Sequence, residues 1–418
     1  MGPRRVFGAL GASAAVLAVV LLALVAAACD GGEEEEGAAN ATRTPTATVA
    51  GTPRPTGTAA VTAEATRTPV GTPTPPADGT PTLPPGGTPA LAAGWTKIEP
   101  GGETVCAQGT PYAFYVHPGT VNRLVVNFQG GGACWDENTC SNPGRYYVDA
   151  VDETDNPANN VEGMADLDNA ENPFKDWFQV FVPYCTGDIH WGNNVATYQF
   201  GGADHTINHK GFVNVSAVLD WVQSNFENPE KFFVSGCSAG AYGSVMGAAY
   251  VHNLYPDVPL YQLGDAGAGV ATEAFRDSGY PNWGTDSTIP DWIPALQVDY
   301  TEVTPTKLYT ALANYYPDDR WSQYNTAHDR TQTLFYGAMG GSGDWGQLMM
   351  ASIDEIQDAA TNFAAYIAPG ASHCITPTDA FYTSEVNGVK FTDWLEAMVN
   401  DEPWESVECT ECDTTGAR

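Results

Sequence analysis

Residues 231–244 read KFFVSGCSAGAYGS. An apolar run, Phe232–Val234, passes into small residues, so the stretch reads as a buried strand running into a tight turn and then a helix. At the junction stands Gly236-Cys237-Ser238-Ala239-Gly240, a match to Gly-x-Ser-x-Gly. Between a strand and a helix this pentapeptide makes a strained turn that lifts the central hydroxyl to the end of a sheet. Alone it is equally an ordinary glycine turn. Its setting makes Ser238 the candidate nucleophile and the Ala239 amide, at the helix start, a candidate oxyanion donor.

Working outward, NRLVVNF (122–128) and WFQVFV (177–182) read as further buried strands, with an amphipathic helix over 211–226 between them and the quoted stretch. Beyond it, AYGSVMGAAYVHNLY reads as a helix and VPLYQLG as a strand. TQTLFYGAMGG (331–341) reads as a strand ending in glycines, then a helix over 347–363, a strand in FAAYIA and a final helix in GVKFTDWLEAMVN. Strands alternating with helices imply an α/β fold, a mainly parallel sheet covered on both faces. Its functional groups should collect in the loops beyond the carboxyl ends of the strands.

One such loop is NFQGGGACW, whose Gly130, Gly131 and Gly132 can supply the second oxyanion donor. The spacing is not that of a dinucleotide fingerprint. A nucleophilic serine also needs a base and an acid, in the chain order Ser, acid, His. Three histidines follow Ser238. His252 falls on the helix after the turn, and His328 in the polar NTAHDR stretch. His373, in the loop APGASHCI, is the candidate base. The candidate acid is Asp344, in the glycine-rich loop after the 331–341 strand, with Asp265 the alternative. Cys237 is better read as one half of a structural disulfide, with Cys374 as candidate partner, than as a rival nucleophile.

Composition bounds the rest. Arg4 and Arg5 precede an apolar run to Ala28, a secretory signal pattern. The following LVAAACDG resembles a bacterial lipobox, which makes Cys29 the lipidated first residue of the mature chain; a plain cleaved signal or a single spanning helix are the alternatives. Residues 30–93 are a Thr/Pro/Ala/Gly-rich stalk with too little apolar surface to fold. Residues 94–418 form the globular domain. Residues 1–93 hold 5 Lys/Arg and 7 Asp/Glu, so most of the net charge of −33 falls beyond them, which speaks against nucleic acid or anionic lipid as a partner. Eight cysteines remain besides Cys29, enough to pair in an oxidising, extracytoplasmic compartment. Cys409–Cys412 lacks a second ligand pair and His205/His209 a placed carboxylate, so no metal is expected. Residues 272–330 are rich in Tyr and Trp and read as a cap over the sheet, whose rings either face substrate or form the cap's own core.

NFQGGGACWDENTC, VPYCTGDIHWGN, NHKGFVNVSAVLDW, GCSAGAYGS, DAG and the late SHC together resemble the pectin acetylesterase/Notum family. The resemblance covers roughly residues 100–400. It implies an α/β-hydrolase fold and a cofactor-free serine carboxylesterase. Its nucleophile falls on Ser238, its acid on Asp344, its base on His373, and its oxyanion donors on Gly131, Gly132 and Ala239. It also implies Cys106–Cys185 and Cys134–Cys140 disulfides. The expected activity is removal of O-acyl groups, foremost O-acetyl, from an extracellular polysaccharide such as pectin, by an enzyme tethered at a bacterial cell surface or in the periplasm. The alternatives are a lipase-like esterase of longer acyl chains and a non-catalytic carbohydrate-binding lipoprotein.

Overall fold

Phe232 and Val234 pack into one hydrophobic cluster and Phe233 into another, and all three are fully buried. A strand buried on both faces needs a covering layer on each side. In the computed structural model, which describes residues 87–412, all within the unit Ala77–Arg418, that strand is central to a nine-stranded sheet. The signal, Cys29 and nearly all of the stalk lie outside the described residues. No described helix is long and apolar enough to cross a membrane.

The sheet opens with β1 (Thr96–Ile98), β2 (Phe114–His117), β3 (Val121–Phe128) and β4 (Trp177–Val182). A separate hairpin, β5 (Asn194–Phe200) and β6 (Ala203–His209), follows. The sheet resumes with β7 (Lys231–Cys237), β8 (Leu260–Asp265), β9 (Arg320–Thr326) and β10 (Phe363–Ala368). A small ribbon, β11 (Glu385–Val386) with β12 (Val389–Lys390), precedes the edge strand β13 (Val407–Glu408). The order is β1-β2-β4-β3-β7-β8-β9-β10-β13, antiparallel at β1-β2-β4 and parallel from β4 to β13.

From β3 the chain goes one way to β4 and the other way to β7. The crevice beyond the carboxyl ends of β3 and β7 is therefore a topological switch point, where open α/β sheets bind ligands.

The period of two shows on β3, where Leu124 and Val126 join one core and Val125 the other. On the first face lie helices α2 (Gly211–Asn225), α3 (Ala239–Leu254), α5 (Pro305–Tyr315) and α7 (Trp345–Ala359), with α4 (Glu273–Trp283) beside them. The short α1 (Glu137–Cys140) belongs to the loop after β3. On the second face α8 (Ala380–Thr383) and α9 (Phe391–Val399) contribute Phe381, Trp394 and Leu395. The eight cysteines pair as Cys106–Cys185, Cys134–Cys140, Cys237–Cys374 and Cys409–Cys412. Four disulfides agree with an extracytoplasmic protein.

Two expectations need correction. The stretch 331–341 is not a strand: Arg330–Ala338 is helix α6, N-capped by Asp329, whose carboxylate accepts from the amides of Thr331 and Gln332. The strand in this part of the chain is β9, RWSQYNT, which begins eleven residues earlier. Nor is 272–330 a separate aromatic cap, since it contains α5 and the central strand β9. Tyr280, Trp283, Tyr309, Trp321 and Tyr324 are buried, and none of these rings lines the cavity described below. They form core.

Candidate active site

Phe128 pairs with Gly236 in the β3–β7 ladder, so the loops leaving these two strands start side by side. The glycines of the pentapeptide answer to close approach. A Cβ on Gly236 would lie 2.1 Å from the Gly240 carbonyl oxygen, and one on Gly240 would lie 2.1 Å from that of Phe128. Between them Ser238 has φ 57° and ψ −120°. A non-glycine residue keeps such a conformation only where its surroundings over-determine it. Here the Ser238 amide donates to the Asp265 carbonyl at 2.7 Å, and its own carbonyl accepts from the Ala241 amide at 2.9 Å. Ala239 is the first residue of α3, so its amide has no intrahelical acceptor.

The glycine loop lies against this turn: a Cβ on Gly130 would sit 3.0 Å from that of Ser238. Gly132 has φ 74° and abuts the Tyr146 carbonyl. Among the described residues neither the Gly131 nor the Gly132 amide donates a hydrogen bond, whereas the Gly131 carbonyl accepts from Val148 and the Ala133 amide donates to Tyr146. Gln129 fixes the root of the loop. Its amide donates to the Val182 carbonyl, its side-chain oxygen accepts from the Tyr184 amide, and its side-chain nitrogen donates to Asp155 at 2.6 Å. Its carbonyl meets His190 Nε2 at 2.9 Å. His190 is buried beside Phe128 and Tyr184, and burial pulls its pKa down to about 4. The neutral ring is thus a structural prop for the glycine loop. Burial also holds the Asp155 carboxyl above its ordinary value.

His373 leaves the end of β10 and stands next to Cys374, whose disulfide to Cys237 ties this loop to the residue before Ser238. His373 Nδ1 lies 2.7 Å from Asp329 Oδ2. A carboxylate only accepts, so Nδ1 carries the proton and Nε2 the lone pair. Nε2 is buried and makes no hydrogen bond to a protein group. The loops after β9 and β10 are laced together by bonds from the Ala327 amide to Ala368, the His328 amide to Gly370 and the Thr326 hydroxyl to Ser372. Asp329 is fully buried and accepts also from Thr331, Gln332 and the Gln332 side chain.

The carboxylate on His373 is therefore Asp329, not Asp344. Asp344 is exposed and caps α7, accepting from the Gln347 amide at 3.3 Å and its side chain at 3.2 Å. Reading 331–341 as a strand moved the acid fifteen residues too far along the chain. Asp265, the alternative, is buried and engaged elsewhere. Its oxygens accept from the amides of Ile375 and Thr376 and from the Thr376 hydroxyl, so it braces the loop that carries His373. Burial raises its pKa to about 6.

Ser238 and His373 both line a cavity of about 520 Å³ with Gly130, Gly131 and Gly132. Its walls come from Trp95, from the 144–165 loop and from Phe335 of α6. A smaller adjoining space of about 60 Å³, bounded by Gly132, Ala239, Tyr242 and Met339, opens on the same two residues. Metal is a poor fit. His205 stacks on Phe200, while His209 meets the Thr186 carbonyl through Nδ1 and the Tyr198 hydroxyl through Nε2. The cysteines nearest His209, Cys134 and Cys140, are joined in a disulfide.

A serine hydroxyl, an imidazole pinned to a buried carboxylate and unengaged amides on one cavity are the parts of acyl-transfer chemistry. The sheet, with its elbow turn after β7, has the α/β-hydrolase fold. The Pectinacetylesterase family model matches residues 97–279, a span that holds the glycine loop and Ser238 and ends before Asp329 and His373. Pectin acetylesterase 7 of Arabidopsis thaliana is 27% identical over 146 residues, covering 34% of this chain and 36% of that protein. This chain thus matches only about a third of that relative's length. The inactive palmitoleoyl-protein carboxylesterase notum1b of Danio rerio is 30% identical over 116 residues, covering 26% of this chain and 76% of that protein. The solved structure of the Wnt deacylase Notum from Drosophila superposes with a TM-score of 0.57 at 14% identity, covering 75% of this chain and 96% of that one. The chain belongs to the pectinacetylesterase/Notum family.

Proposed function

We propose that this chain is a serine carboxylic-ester hydrolase working through Ser238, His373 and Asp329. The observation that carries the reading is the His373–Asp329 hydrogen bond on the cavity that Ser238 also lines. Ser238 Oγ attacks the ester carbonyl while His373 Nε2 takes its proton. Amides of Ala239 and of the Gly131–Gly132 loop receive the oxyanion. The proton passes to the departing alcohol, leaving an acyl-serine. Water then gives a proton to Nε2 and adds to the acyl carbon; the acyl–Oγ bond breaks, Oγ recovers the proton from Nε2, and the acid is released. Asp329 holds the imidazole in one tautomer and stabilises its cationic form. No cofactor is needed for these steps.

The substrate we favour is an O-acylated, foremost O-acetylated, extracellular polysaccharide, met by an enzyme held to a membrane through Cys29 and the stalk. Pectin, from the relative's name, is the polyuronate to assay beside an uncharged acetylated glycan. One relative is named as inactive, so the activity proposed rests on this chain's own residues. A second reading, hydrolysis of longer acyl esters, draws support from the cavity's volume and from Phe128, Val180, Phe181 and Met164 in its wall. A series of p-nitrophenyl esters from acetyl to palmitoyl, run beside acetate release from acetylated glycans, tests both. Hydrolysis greatest at two to four carbons is expected. A maximum at eight carbons or more would transfer the proposal to lipid-like esters, and no hydrolysis at any length would end the esterase reading.

A further inference from the structure

One wall of the cavity comes from a loop whose charge is all of one sign. Between Arg145 and Lys175 the chain carries eight Asp/Glu and no Lys or Arg. This segment supplies Thr154, Asp155, Asn156, Asn160 and Glu162 to the cavity lining. Among the described residues only Glu171 of the eight has an ion-pair partner, Lys390 at 3.4 Å. Glu153, Glu162 and Asp168 are exposed on the same loop. Against them, Arg145 is the one Lys or Arg in the lining, and its guanidinium lies over the Tyr146 ring. The whole chain has the same sign, at a net −33. Clefts lined by one sign of charge focus the field and repel ligands of like sign, by up to about 10³-fold in encounter.

The proposed esterase implies a polymer lying across the cavity's mouth while one acylated residue enters it. A polyuronate carries one carboxylate per sugar and would set a row of negative charges along the acidic loop. An uncharged glycan would not. Its hydroxyls can donate to the Asp155 and Glu162 carboxylates and exchange hydrogen bonds with the Asn156 and Asn160 amides. We infer that the polymer recognised by this cavity is an O-acylated glycan with an uncharged backbone, and that polyuronates are excluded by the loop between Arg145 and Lys175. The inference rests on the esterase reading for the acyl group, and on the loop's charge for the backbone.

The two can be tested apart. Affinity electrophoresis of the full-length Ser238→Ala protein, through gels containing acetylated glucomannan or acetylated polygalacturonate, reads backbone choice without catalysis. Retardation by glucomannan alone is expected at low salt. Retardation by polygalacturonate equal to or greater than that by glucomannan, or by neither polymer, would overturn the inference. With the wild-type protein, acetate release should favour glucomannan by roughly tenfold or more at about 10 mM salt, and the gap should narrow at about 200 mM as screening shortens. Glu153→Lys/Asp168→Lys should raise the polygalacturonate-to-glucomannan ratio several-fold; an unchanged ratio would remove the loop from the explanation. If p-nitrophenyl acetate is not hydrolysed, the esterase reading fails and the electrophoresis still decides the backbone.

Discussion

Asp329 has its position set by four donors, the amides of Thr331 and Gln332, the Gln332 side chain and His373 Nδ1. Asn in its place keeps the shape but offers an amide where His373 needs an acceptor, which favours the wrong tautomer. We expect Asp329→Asn to lower kcat roughly 10³–10⁴-fold with little change in fold. Asp344→Ala removes only a helix cap, so it should cost about 1 kcal/mol of stability and leave kcat within about twofold. Kinetics and thermal melting of the two variants side by side check this, and the reverse pattern would restore Asp344 as the acid. Ser238 and His373 are legible in the sequence because each has a local signature, the Gly-x-Ser-x-Gly turn and a histidine just past an apolar strand. Asp329 has a fainter one. Asp329-Arg330-Thr331-Gln332 fits a helix N-terminal capping pattern, and Gln332 does bond back to Asp329.

At the scale of elements, β9 explains the miss. RWSQYNT holds Ser322, Gln323 and Asn325, all fully buried, where a buried strand is expected to be apolar. Most of their polar atoms find partners: the Ser322 hydroxyl donates to the Gln262 carbonyl at 2.6 Å, and Asn325 donates to Gln323 and accepts from Gln332 of α6, while Gln323 Nε2 makes no hydrogen bond among the described residues. Side-chain pairing of that kind leaves no periodic mark in the chain. The apolar strands β3, β4, β7, β8 and β10 and helices α2, α3, α7 and α9 were all readable, because they obey their periods.

The β5–β6 hairpin was not singled out, and it ends in a group with a pH signature. His209 is fully buried, and burial lowers its pKa to about 4. As pH falls from 6.5 toward 4 the unfolded chain takes up a proton that folded His209 refuses, so this group's contribution to stability falls with acidification. Asp188 and Asp265, both raised to about 6, act in the opposite sense between about 4 and 6, because their folded forms hold protons that the unfolded chain sheds. His209→Gln removes one of the opposed contributions. Its destabilisation should be smaller at pH 4.5 than at pH 7 by roughly 2 kcal/mol, read from denaturant melts at the two values. An equal cost at both would mean that His209 titrates normally.

For the whole molecule, the parallel sheet and its switch point put five separate segments at one crevice: the glycine loop, the Ser238 turn, and the loops carrying Asp265, Asp329 and His373. Disulfide Cys237–Cys374 closes the set by joining the residue before Ser238 to the residue after His373. Local patterns revealed β3, β4, β7, β8 and β10 but not β9; the strand order that gathers these loops is a long-range property that the sequence leaves open. The same holds for the aromatic segment 272–330, where ring content was visible but burial in the core was not.

The account stands on Ser238 being an activated nucleophile, and labelling with a fluorophosphonate probe, mapped by peptide mass spectrometry, addresses that directly. We expect a single adduct on Ser238 in the wild-type protein, formed at a similar rate in Asp344→Ala and at least about a hundredfold more slowly in His373→Ala. No adduct on Ser238, or a rate unchanged by loss of His373, would contradict it.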